Sequence, residues 1–75
     1  MPRESVTAIV AEMVASVIEV SVEVGQPVAA GDAVVLLESM KMEIPVLSES
    51  AGTVSEISVS PGDVIREGDV LAIII

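Results

Sequence analysis

Val17-Ile18-Glu19-Val20-Ser21-Val22 and Val54-Ser55-Glu56-Ile57-Ser58-Val59 are two copies of one alternating stretch, 37 residues apart. The register holds without a gap. Gly25 falls on Gly62, Val28 on Ile65, Gly31-Asp32 on Gly68-Asp69, and Val34 to Leu37 on Leu71 to Ile74. Such an internal repeat means that one supersecondary unit is used twice. Each copy reads as an alternating strand, a turn at Gly25-Gln26-Pro27 or Pro61-Gly62-Asp63, a short extended piece, a second turn at Gly31-Asp32 or Gly68-Asp69, and a closing apolar strand. With further strands near Val6 to Val10 and Glu43 to Leu47, the chain predicts about eight short strands in two sheets with pseudo-two-fold symmetry. The expected fold is all-β, a flattened barrel or small sandwich.

Composition points the same way. The chain holds 15 Val and 8 Ile against 4 Leu, and β-branched side chains favour strands. A helical reading of Val28 to Met42 has some support from Ala29, Ala30, Leu36 and Leu37. It is outweighed by the equivalent stretch ending in Ile73-Ile74-Ile75. There is no Cys, no His, and no Phe, Tyr or Trp, so disulfides, thiolate or imidazole metal sites and large aromatic contacts are all excluded. In 75 residues a single aliphatic core must hold one domain, residues 1–75.

Three basic residues, Arg3, Lys41 and Arg66, stand against 12 acidic ones, for a net charge of −9. Nucleic-acid binding requires clustered cations and is excluded; anionic membrane surfaces are disfavoured. Mean hydropathy is high, at +0.81. Even so, the longest apolar run, Val70 to Ile75, is far short of the roughly 20 residues of a spanning helix. The N-terminus shows no convincing signal-cleavage pattern, so a cytoplasmic protein is expected, and the acidic surface, which resists self-association, predicts a monomer in isolation.

The repeat also locates the one segment that breaks its pattern. Lys41 has Glu4 as its counterpart in the N-terminal tail, whereas its counterpart on the other side lies beyond the C-terminus. Lys41 is therefore expected at the tip of a hairpin joining the two halves, at the pole opposite the termini. Hairpin tips are normally built of Gly, Asn, Asp or Pro, yet this one offers Met40-Lys41-Met42 between Glu38 and Glu43. As ordinary filler, the methionines would be core residues and the lysine a solvated cation. Against that stand the position at the join of the repeat and the fact that this is the only lysine. A lone amine with no neighbouring base suits covalent modification by another enzyme rather than catalysis by this chain, and no triad can be assembled.

Glu38-Ser39-Met40-Lys41-Met42-Glu43 resembles the biotin-attachment motif of biotin carboxyl carrier domains. The resemblance covers nearly the whole chain, including the two Gly-Asp turns and Gly52-Thr53-Val54. It is strongest to free-standing, single-domain biotin/lipoyl attachment proteins of the actinobacterial type. It implies a barrel-sandwich hybrid fold and a biotin amide on Lys41 made by biotin protein ligase. It further implies a carrier that does no chemistry itself, shuttling a carboxyl group from biotin carboxylase to a carboxyltransferase of the acyl-CoA carboxylase type. Glu38, Ser39, Met40 and Met42 would be read by the ligase, with Met42 mattering more to later turnover. Related lipoyl domains carry Asp-Lys-Ala at the tip, so the methionines favour biotin.

The resemblance departs at Glu12-Met13-Val14-Ala15, where the family often has Pro-Met and then Gly. The gapless repeat leaves no room for the thumb insertion of some bacterial carriers, and no Pro/Ala-rich linker precedes the domain, which reads as free-standing or trimmed. Two alternatives stand beside the carrier: a lipoyl carrier of a 2-oxoacid dehydrogenase, and an unmodified structural or adaptor module. The acceptor, whether acetyl-CoA, propionyl-CoA, pyruvate or urea, is not encoded at the tip.

Overall fold

A computed structural model describes residues 6–75. It contains eight strands: β1 (Thr7–Val10), β2 (Ala15–Val20), β3 (Pro27–Val28), β4 (Ala33–Ser39), β5 (Met42–Leu47), β6 (Gly52–Ile57), β7 (Val64–Ile65) and β8 (Val70–Ile74). They form two four-stranded antiparallel sheets, in the orders β1-β8-β6-β3 and β5-β4-β2-β7. No ladder closes one sheet onto the other, so the flattened barrel is in detail a pair of open sheets. The stretch from Val28 to Met42 consists of strand β4 between the turns at Gly31 and Met40-Lys41, with no helix.

The 37-residue offset maps the first sheet onto the second, strand for strand. β1 matches β5, β2 matches β6, β3 matches β7, and β4 matches β8. Each sheet therefore takes its two central strands from one half of the chain and both edge strands from the other. Irregularities repeat too. Ile18 and Ser55 are skipped in the β2–β4 and β6–β8 ladders, and Val34 and Leu71 in the β4–β5 and β1–β8 ladders. A bulge breaks strict alternation. Thus Val34-Val35 and Leu71-Ala72 can each bury two consecutive residues, all four of them fully enclosed.

Turn chemistry accounts for the repeated glycines. Gly31 and Gly68 adopt φ of 95° and 92°, a region that costs a side chain about 1–2 kcal/mol. The following carboxylates close the turns: Asp32 accepts the Ala29 N–H at 2.8 Å and Asp69 accepts the Arg66 N–H at 2.9 Å. Each turn is then pinned by the other half. Gly31 N–H donates to the Ser48 carbonyl and Ser48 N–H to that of Asp32, both at 2.8 Å, and Gly68, Ala11 and Asp69 repeat the pattern. The links between β2 and β3 and between β6 and β7 span 21–26 and 58–63, equal lengths with no thumb.

The core is aliphatic, centred on Val17, Val34, Leu37, Val54, Leu71 and Ile74. Among the described residues one polar side chain, that of Ser48, is buried, and it is satisfied locally, its hydroxyl donating to the Ser50 carbonyl at 2.6 Å. Met13 packs against this core, while Val14 beside it is exposed, in the link that departs from the resembled pattern.

Gly52 marks where the symmetry is closest to failing. Its counterpart is Ala15, yet a Cβ at Gly52 would strike the carbonyl oxygen of Ile75 and come within 2.8 Å of the Ile74 side chain. Overpacking of this kind costs about 1–3 kcal/mol. Gly52→Ala is therefore expected to lower the midpoint of thermal unfolding by roughly 5–15 °C for a domain of this size. Ala15→Gly should lower it less, as followed by circular dichroism.

Candidate functional site

Lys41 lies in the two-residue connection between β4 and β5, at the end of the β4–β5 hairpin. Below it the ladder pairs Ser39 with Met42, Glu38 with Glu43, and Leu37 with Ile44. β5 leads away from this tip, and the chain enters β6 at Gly52-Thr53. There Thr53 and Ile75 exchange two backbone hydrogen bonds of 2.8 and 2.9 Å. The tip and the C-terminal residue are thus separated by the length of β5, as the repeat predicts. Glu4, the counterpart of Lys41, lies outside the described residues.

The turn itself departs from ordinary hairpin chemistry. Met40 and Lys41 have φ of 54° and 67°, the only positive values among the described non-glycine residues. Positive φ at both central positions is the mark of a type I′ turn, which matches the twist of the flanking strands and is normally made by Asn-Gly. Here two L side chains with no local capping group are held in the left-handed region, at a cost of about 1 kcal/mol or more each. The ladder beneath supplies the compensation.

This geometry turns the tip side chains outward. Met40 is 90% exposed and Met42 63%, values that exclude a role as core filler. Lys41, Glu38 and Glu43 are exposed, and Ser39 is half-buried. All the residues singled out from sequence, Glu38, Ser39, Met40, Lys41 and Met42, come together on one hairpin end. Two features were not read from sequence: the left-handed turn and the direct opposition of Glu38 and Glu43. The first carried a signal in the missing Asn-Gly; the second requires the register. Among the described residues no group of three or more acidic, His or Cys side chains could hold a metal ion. A cavity of about 510 Å³ lies in the seam between β1 and β5, is lined by Ile9, Met13, Ile44 and Val46, and does not include Lys41.

Comparison with known proteins gives the family of the chain. The biotin/lipoyl family, described as "Biotin-requiring enzyme", matches residues 5–74. A biotinylated protein TB7.3 homolog of Mycobacterium leprae is 62% identical over 64 residues, covering 85% of this chain and 90% of the relative. The alpha3 subunit of a biotin-dependent acyl-coenzyme A carboxylase from the same organism is 45% identical over 89% of this chain and 11% of the subunit. In structure, the Kluyveromyces lactis urea carboxylase contains a region superposing with a TM-score of 0.90 at 29% identity, covering all of this chain and 7% of that enzyme. The chain belongs to the biotin/lipoyl family.

The strained turn yields a prediction. Met40→Asn replaces a side chain that resists φ of 54° by one that tolerates it, and is expected to raise stability by about 0.5–1 kcal/mol. Chemical denaturation would register this as a higher midpoint at unchanged slope.

Proposed function

We propose, from that membership, that this chain is a biotin carboxyl carrier with biotin joined through an amide to Lys41. The observation that carries the reading is the sole lysine of the chain, exposed on the outermost turn between two exposed methionines. Among the described residues the tip around the amine is exposed, open to another protein's active site. When bound, biotin supplies a ureido nitrogen that can carry a carboxyl group between two active sites. The chain's own residues hold and present it. The β4–β5 ladder fixes the turn, the left-handed backbone projects Lys41, and the aliphatic core keeps the base of the arm rigid.

In this reading Met40 and Met42, with Ser39 and Glu38, form the surface recognised by biotin protein ligase. Methionine gives an uncharged, adaptable contact that a partner can pack against. The carrier raises the local concentration of the tethered group at a biotin carboxylase and then at a carboxyltransferase. Likeness to parts of acyl-CoA and urea carboxylases supports carboxylase partners. The same reading takes residues 1–75 as one attachment domain, monomeric and cytoplasmic, that is not itself an enzyme. The Met-Lys-Met tip, in place of Asp-Lys-Ala, favours biotin over lipoate.

Co-expression with a biotin ligase followed by intact-mass measurement tests the proposal. One biotinyl group is expected on the wild-type chain and none on Lys41→Ala. An unmodified wild-type chain, or biotin retained by Lys41→Ala, would overturn it.

A further inference from the structure

The Glu38–Glu43 rung is an anomaly of the ladder. Residues directly opposite in an antiparallel pair bring their Cβ atoms to about 4.5–5.5 Å, and like charges there are destabilising. The repeat offers a comparison. The same two positions in the other copy are Ile75 and Val6, both apolar and exposed. They lie just outside the β1–β8 ladder, whose last pair is Thr7 with Ile74, so the like-charged rung has no counterpart there. Above it stand only the Ser39–Met42 pair and a turn held in left-handed conformation at two L residues. The like-charged rung and the left-handed turn both oppose order at this hairpin end, and Lys41, two residues from Glu43, is the single cation of the segment 38–43.

We propose that Glu38 and Glu43 act as positioning residues that make the order of the tip depend on the charge of Lys41, so that acylation of the lysine loosens the last rungs of the β4–β5 ladder. The inference rests on the functional reading above for the identity of the acyl group. In the covalent step the lysine nitrogen gives up two protons and forms a bond to the acyl carbon of an activated donor. The bond from that carbon to its leaving group breaks, and the leaving group departs with the electron pair. An ammonium becomes a neutral amide, and the segment 38–43 passes from a net charge of −1 to −2. The two carboxylates then face each other without a counter-charge. All three groups are exposed, so water and salt screen the effect and its size is modest. A looser modified tip gives the arm a wider arc, whereas the unmodified tip stays ordered for recognition.

Amide hydrogen exchange on the full chain tests this, with protection factors read at Ser39, Met42 and Ile44, the amides of the bonded pairs on either side of the Glu38–Glu43 rung, for unmodified and biotinylated protein at low salt and at about 0.5 M salt, where the Debye length falls to a few ångströms. Biotinylation is expected to lower protection about two- to threefold at low salt, with the difference vanishing at high salt. Lys41→Met should reproduce the loss without biotin. Glu43→Val, the residue of the other copy, should abolish the response to biotin. Equal protection in the two forms, a difference that survives high salt, or one that survives Glu43→Val would overturn the inference. If intact mass shows no biotin on Lys41, the functional reading fails by itself, and the Lys41→Met comparison still decides the charge dependence.

Discussion

Each sheet takes both of its edge strands from the other half of the repeat, and the hydrophobic core depends on that exchange. Neither half can cover its own apolar face or complete a sheet alone. Every ladder in the molecule except those of β2 with β4 and β6 with β8 joins residues of different halves. The backbone bonds that hold the Gly31 and Gly68 turns cross between halves in the same way. In a chain without disulfides or aromatics, this interlock is what lets aliphatic side chains alone enclose a core.

The site inherits its rigidity from the same arrangement. β4 belongs to the first half and β5 to the second, so the hairpin that presents Lys41 is itself one of the exchanged pairings. Its lower rungs are anchored by Leu37, Val35 and Val34 in the core, while its upper rungs, from Glu38–Glu43 outward, are largely exposed. A rigid base and an exposed, strained end on one hairpin suit the carrier role proposed for Lys41. The local rules of turn and pairing are broken here and obeyed elsewhere, the pattern expected where function opposes stability.

Much of this was legible in the sequence because the repeat gave each strand a second witness. Val34 to Leu37 could be argued as helix in isolation, but not beside Leu71 to Ile74. The position of Lys41 followed from the same arithmetic, and the Met-Lys-Met motif marked it. The bulges were not legible, because skipping Val34 or Leu71 in a ladder is decided by how two sheets fit, not by alternation within one strand. Nor was the need for Gly52 visible: its counterpart is alanine, and only the carbonyl of Ile75 lying over it distinguishes the two positions. The opposition of Glu38 and Glu43 awaited the register of a two-residue turn built from residues that seldom form one.

The matching of β4–β5 with β1–β8 has a consequence for connectivity. The fold has two equivalent poles, and at one of them Met40 and Lys41 join the paired strands, while at the other the same pair of strands has no direct connection. Seen as a closed loop, the backbone would be indifferent to which pole carries the crossing. In this chain the Met40-Lys41 turn makes that crossing, so the lysine sits on the covalent link between the two halves.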